Sequence, residues 1–259
     1  MNEELYKIED DVRTGIERRL CEVENKHDVR IVYAVESGSR AWGFASPDSD
    51  YDVRFIYVHK KERYLSVRAY RDVIETPLDE VWDINGWDAK KALALFRKSN
   101  TALLEWLQSP IVYRESKTMA LWKSSIAEAF DARACHHHYF NMAKRTIETS
   151  LKSEHVKLKK YFYALRPLLA CLYIEEKHGV MPTEFHAMLH KVSVPDNIRE
   201  SIDALMKRKG QAIESELEPR DETLLRYIDE TLASSKEAAP DKSEEISWAK
   251  LDEIFLALL

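Results

Sequence analysis

The sequence predicts an α+β protein: a mixed-sheet N-terminal domain over roughly residues 1–110, then a mainly helical domain over 111–259. Three observations predict it. Two apolar runs of strand character, "VRIVYAVES" (29–37) and "SDYDVRFIYV" (49–58), flank a turn-forming "ASPDSD". From Asp88 the apolar residues recur at helical spacing. Beyond about residue 115 almost every segment keeps that spacing.

Each element has its own reason. Ile8, Val12, Ile16, Leu20 and Val23 lie at helical spacing among charges, which predicts an amphipathic helix over residues 3–25. After the two apolar strands, "RDVIE" reads as a short strand ended by Pro77. "DEVWDING" (79–86) reads as another, ending at Gly86. "DAKKALALF" and "ALLEWLQ" are helices joined at "KSN", and Pro110 closes the second before a short "IVY". Helices are expected over 117–150, 155–176 (kinked or restarted at Pro167), 182–190, 195–208 and 218–235. A polar connector, residues 234–245, leads to the apolar "ISWAKLDEIFLALL", which must pack on the body or on a partner to leave water.

A net charge of −6 carries no polybasic signature and argues against avid, non-specific nucleic-acid binding, although a local basic groove is compatible with it. Cys21, Cys135 and Cys171 are odd in number and far apart, so neither a zinc knuckle nor a disulfide framework is indicated. The acidic, polar "MNEELYKIEDD" lacks a signal-peptide core, and no apolar run approaches the ~20 residues that span a bilayer. The expectation is a cytoplasmic protein with no membrane partner. Nothing in the sequence sets its oligomeric state.

The unusual residues are acids. Asp50 and Asp52 stand at i and i+2 of a predicted strand, so both point to one face, while Tyr51 and Val53 point to packing. Two neighbouring carboxylates repel, and burying them unpaired costs several kcal/mol in order of magnitude, unless a cation sits between them. Asp83, between Trp82 and Ile84 on a later strand, supplies a third acid in an apolar setting. Hard oxygen ligands of this kind suit Mg²⁺, and the three together could hold two ions. Upstream, Gly38 allows a tight turn that brings backbone N–H groups toward a phosphate. Ser39 can donate to a phosphate oxygen, and Arg40 adds charge or pairs with one of the acids.

"SGS" (37–39), ten residues, "DYDV" (50–53), then Asp83 in "WDI" resembles the DNA polymerase beta-like nucleotidyltransferase superfamily. Within it, "GSRAWGFASPDSDYDVRFIY", "DINGWDAKKALALFRKSN", "LLEWLQSPIVY" and "YFYALRPLLA" most resemble the predicted nucleotidyltransferases named after an RNA repair pathway. That resemblance implies an N-terminal catalytic domain, with Asp50, Asp52 and Asp83 as catalytic and metal-binding acids. It implies Gly38 and Ser39 as the phosphate-binding turn. The implied reaction moves an NMP from an NTP, with ATP the expected nucleotide, to an acceptor hydroxyl and releases pyrophosphate. A tRNA-like RNA 3′ end is the acceptor that the group's name suggests; a protein or a small molecule is the alternative. The rival reading is a non-catalytic nucleotide-binding or interaction protein.

Further residues carry weaker expectations. Lys160, Tyr163 and Arg166 follow i, i+3 spacing on one helical face, which the helical domain could close over the nucleotide. Lys90, Lys91, Arg97 and Lys98 could line the same cleft. Asp88 and Asn100 read as helix caps, and Asp79 as a strand start. His136, His137 and His138 are consecutive, so on a helix they diverge and a structural or surface role is expected. Trp42 is the tryptophan nearest the expected phosphate turn.

Overall fold

A computed structural model describes residues 6–77, 81–153, 155–210, 217–236 and 238–259. Asp79 and the first residues of the predicted N-terminal helix lie outside them. In chain order the elements begin with α1 (Asp10–His27), β1 (Val29–Glu36), α2 (Gly38–Trp42), β2 (Tyr51–His59) and α3 (Lys61–Tyr64). There follow β3 (Val73–Glu75), β4 (Trp82–Asp88), α4 (Ala89–Arg97), α5 (Thr101–Leu107), β5 (Val112–Glu115), α6 (Met119–Ser124) and α7 (Ile126–Ala129). The remainder is α8 (Ala132–Ser150), β6 (His155–Lys157), α9 (Leu158–Glu175), α10 (Phe185–Leu189), α11 (Asp196–Lys209), β7 (Leu217–Pro219), α12 (Glu222–Ser235) and α13 (Trp248–Leu258).

The chain divides into two units. The first comprises residues 1–41, 50–129 and 245–259; the second comprises 42–49 and 130–244. The expected boundary at 110/111 differs from this division for two physical reasons. β5 pairs with β1, so residues 112–115 complete the first unit's sheet. α13 buries Leu251, Ile254 and Leu258 and packs on α4 and α6, which returns the C-terminal residues to that unit.

The first unit is built on a five-stranded sheet ordered β3-β4-β2-β1-β5. β1 pairs antiparallel with β2 and β5, β3 pairs antiparallel with β4, and β2 and β4 are parallel. The sheet is therefore mixed, as expected. Its central strands read as continuous apolar runs because Val32 to Val35 and Phe55 to Tyr57 are wholly buried. α1 lays Ile16, Leu20 and Val23 on one side of it, at ~1.5–3 kcal/mol for each large apolar side chain buried. Gly86 is opposite Phe55, and a Cβ there would stand 2.1 Å from the Phe55 ring. Asp88 and Asn100 cap α4 and α5, accepting from Lys90 N–H and Leu103 N–H. At the C-terminal end, Arg97 pairs with Glu245 and lies 4.6 Å over Trp248, while Arg30 Nη2 donates to the Leu258 carbonyl.

The second unit is mainly helical, with a two-stranded β6–β7 ladder. The predicted 117–150 helix is broken: α6 and α7 belong to the first unit and only α8 begins the second. Pro167 sits inside α9 without interrupting its assigned span. Residues 42–49 belong to this unit because Phe44 stacks on Phe162 at 4.9 Å and meets Phe185 edge-on at 5.7 Å. Lys209 Nζ also donates to Ser46 Oγ at 2.6 Å. On α8, buried His136 pairs with Glu175 at 2.7 Å while His137 and His138 are exposed, so the three diverge as expected. None of the three cysteines is in a disulfide. Among the described residues no helix is long and apolar enough to cross a membrane.

Candidate functional site

The site of the first unit forms where β1 ends, the chain turns, and β2 and β4 begin side by side. Ser37 N–H donates to the Asp52 carbonyl at 2.8 Å, which brings the turn onto the start of β2. Gly38 follows with φ +59°, a left-handed conformation that glycine adopts without steric cost. A Cβ on it would stand 2.0 Å from Asp52 Oδ2. Only glycine lets the turn press this closely against the acid. Ser39 is nearly buried.

Asp52 and Asp83 are direct partners in the parallel β2/β4 pairing. Each side chain is about 30% exposed (30% and 29%), so both acids reach the surface without leaving the sheet. Asp50 differs from the expected placement. β2 begins at Tyr51, so Asp50 stands one residue before the strand and is exposed, and strand alternation does not fix its direction. Arg40 is bound to this entry: its Nε donates to the Asp50 carbonyl at 3.1 Å and its guanidinium lies 3.9 Å over the Tyr51 ring. Tyr51 in turn stacks on Trp82 at 5.1 Å.

Two charged residues complete the site without having been singled out from sequence. Arg54, two residues beyond Asp52 on β2, donates from Nη2 to Asp52 Oδ1 at 3.1 Å and to Asp83 Oδ2 at 2.6 Å. Its Nη1 donates to the carbonyls of Asp83 at 2.7 Å and Val53 at 3.2 Å. Glu36, the last residue of β1, has no exposed surface. Its Oε1 accepts the Asp52 N–H at 2.8 Å and its Oε2 accepts the Tyr113 hydroxyl at 2.5 Å. Both could have been found by rules already in use. Arg54 is i+2 from Asp52 on the same strand face, and Glu36 is a lone acid ending an apolar run, like Asp83.

Burial pushes the Asp52 carboxyl above its ordinary range; Arg54 pulls it down, and Asp83 and Asp50 push it up again. Glu36 is pushed up to about 7, chiefly by burial, against the lowering effect of its two hydrogen bonds. The oxygen donors of Asp50, Asp52 and Asp83 suit a hard divalent cation, and Arg54 already stands as a cation between two of them. Among the described residues no three His, Cys, Asp or Glu side chains are gathered into a ready metal cluster.

Lys160, Tyr163 and Arg166 lie on α9 of the second unit. Lys160 Nζ is 5.6 Å over the Tyr163 ring, and Trp42 meets Tyr163 edge-on at 6.0 Å. Arg166 is buried; its guanidinium lies 4.4 Å over Trp42 and Nη2 donates to the Thr183 carbonyl. Trp42, Met142, Thr146, Tyr163, Arg166 and Pro167 line a cavity of about 130 Å³. In the first unit, Lys91 bonds Asp72, Lys90 lies over Tyr64 and Phe255, and Arg97 is held by Glu245, so each of these cations has a structural partner.

A family model described as the RNA repair pathway DNA polymerase beta family matches residues 12–257. The chain is 45% identical over 227 residues to the uncharacterized protein YcgL of Bacillus subtilis (strain 168), covering 87% of each chain. A crystal structure of a nucleotidyltransferase-like protein from Exiguobacterium sibiricum 255-15 overlaps 94% of this chain and 77% of its own at 10% identity. Its TM-score is 0.30, and so weak a superposition carries no weight for fold or function.

Proposed function

The chain belongs to the RNA repair pathway DNA polymerase beta family, and from that membership we propose that it is a metal-dependent nucleotidyltransferase. It moves an NMP from an NTP, with ATP the expected nucleotide, to an acceptor hydroxyl and releases pyrophosphate. The observation that supports this most is the Asp52–Asp83 pair, in register on adjacent parallel strands, with Gly38 pressed against Asp52.

Carboxylates of the Asp50, Asp52 and Asp83 set would hold Mg²⁺. Bound there, Mg²⁺ would supply Lewis-acid stabilisation of the charge that develops on the α-phosphate and the departing pyrophosphate. The chain's own groups do the rest. Gly38 leaves the space beside Asp52 Oδ2 that a side chain would fill, and Gly38 and Ser39 form the phosphate-binding turn. Glu36 accepts the Asp52 N–H and so holds the main chain from which that carboxylate projects. Arg40, stacked on Tyr51 beside Asp50, adds fixed positive charge on the entry side. An RNA 3′ end is the acceptor we favour on the family's description; a protein or small-molecule hydroxyl is the alternative.

The test incubates the full chain with Mg²⁺ and each α-³²P-labelled NTP, with and without total RNA, cell protein or a metabolite extract. Label should pass to one acceptor pool and be lost in Asp52→Asn and Asp50→Asn. Failure to bind any NTP would overturn the proposal. NTP binding without transfer to any pool would favour a nucleotide-binding regulatory protein.

A further inference from the structure

The sheet of the first unit has a second lined surface, behind the acids. Tyr51 and Trp82 are cross-strand partners one position before Asp52 and Asp83. Strand alternation therefore turns their rings to the opposite face, the one on which α1 packs. There they join a series of stacked groups. Arg40 lies 3.9 Å over Tyr51, Tyr51 stacks on Trp82 at 5.1 Å, and Arg19 of α1 lies 4.5 Å over Trp82. The series starts at the Asp50 carbonyl, to which Arg40 donates, and ends in a cavity of about 230 Å³. Arg19, Glu22, Lys26 and His27, which share one face of α1, line that cavity together with Glu75 at the end of β3 and Trp82.

The size and lining of the cavity fit a nucleobase. It exceeds the ~150 Å³ that holds a benzene ring and falls short of the ~300 Å³ at which pockets for whole ligands begin, so it takes one ring system. A guanidinium plane is a stacking surface for bases, and the Trp82 ring backs this one. The carboxylates of Glu22 and Glu75 are acceptors for amino groups on a base edge. An NTP reacting at Asp52 and Asp83 cannot supply that base, because the sheet lies between. A polynucleotide can, by passing around the end of the sheet where Arg40 stands. We propose that the cavity binds one nucleobase of the RNA acceptor strand, stacked on Arg19. The inference rests on the transferase reading above and gives it a determinant of the acceptor. A chain of net charge −6 gains little from phosphate attraction, so stacking is the means by which it retains a short strand.

The experiment measures binding of the full-length chain to a fluorescein-labelled single-stranded RNA of about eight nucleotides, within the usual single-strand site size, by anisotropy. Each base is removed in turn by an abasic substitution, and folding is followed by circular dichroism. Arg19→Ala should bind about tenfold more weakly, the scale of one stacked base. Arg19→Lys should lose nearly as much, since it keeps the charge and lacks the plane. One abasic position should weaken wild type by the same factor and leave Arg19→Ala unchanged. Binding of ATP with Mg²⁺ should be the same in all three proteins. A folded Arg19→Ala or Arg19→Lys that binds RNA as wild type does would overturn the proposal. So would abasic effects that simply add to that of Arg19→Ala. Binding of AMP, CMP, GMP or UMP that is lost in Arg19→Ala, with RNA binding intact, would give the cavity to a free nucleotide and overturn the acceptor assignment. If Arg19→Ala does not fold, Arg19→Lys and its abasic series decide. The labelling assay is a separate readout: transfer to a protein or metabolite pool alone would sink this inference and leave the transferase reading standing. Arg19-dependent RNA binding by a chain that binds no NTP would do the reverse.

Discussion

Asp52 is tied to Glu36 through its own main chain: the Asp52 N–H donates 2.8 Å to Oε1 of a carboxyl with no exposed surface. The far side of that carboxyl is closed by the Tyr113 hydroxyl. A buried acid is costly unless bonded, and here both oxygens are bonded, one of them to the residue that carries the proposed chemistry.

Glu36 makes stability depend on pH. Its carboxyl stands at about 7 against an ordinary 4.5, so the folded chain binds the proton more tightly than the unfolded one. The contribution is present in full below the unfolded value and is lost as pH rises from about 4.5 through 7, by about 3 kcal/mol in total. Burial pushes Asp52 the same way and adds to the same sign. Urea denaturation of Glu36→Gln and wild type at pH 5 and pH 8 should show the slope reduced in the variant. An unchanged slope would refute it.

Gly38→Ala places a methyl group 2.0 Å from Asp52 Oδ2 on a backbone of positive φ. The left-handed conformation costs about 1–2 kcal/mol, and the carboxylate must move as well. Nucleotidyl transfer should fall by about 100-fold, the scale set by misplacing a catalytic group by an ångström. The melting temperature should drop by only a few degrees. Loss of folding without a selective loss of transfer would assign Gly38 to the scaffold alone.

Gly86→Val tests the sheet rather than the site. Its Cβ would meet the Phe55 ring at 2.1 Å, and overpacking of this kind costs about 1–3 kcal/mol or more. Phe55→Leu in the same chain should recover part of the loss. Additive effects in a denaturation cycle would count against the contact.

Ile254→Ala tests the return of α13 to the first unit. Ile254 is fully buried, and truncating such a residue costs about 2–5 kcal/mol. Native-state hydrogen exchange should accelerate in α4 and α6, the helices that α13 packs against. Protection unchanged there would contradict the packing.

The sheet and its caps were legible because the rules that produce them are local. Alternation and apolar runs marked β1 and β2, and Asp88 and Asn100 cap the helices they precede. The acid pair was legible because a carboxylate inside an apolar strand has few structural uses. Arg54 and Glu36 could be picked out as candidates by the same local rules, but the role of each depends on long-range pairing. Arg54 matters because β4 lies parallel to β2, and that pairing brings Asp83 to it across 29 residues of sequence. Glu36 matters because Tyr113, on β5, caps it from 77 residues away. The course of residues 42–49 was hidden for a similar reason: Phe44 lies in a polar-looking turn, and only Phe162 and Phe185 reveal it as core.

The route of the chain has a consequence for synthesis. A ribosome emits the strands bearing Asp52 and Asp83 early, then the whole of residues 130–244, and only afterwards the residues of α13 that cover α4 and α6. Until then the apolar faces of those two helices wait for a partner more than 120 residues downstream, a closure that is slow by topology. The five-stranded sheet is thus begun first and sealed late, and a nascent chain arrested near residue 244 should be held by holdase chaperones through the uncovered faces of α4 and α6.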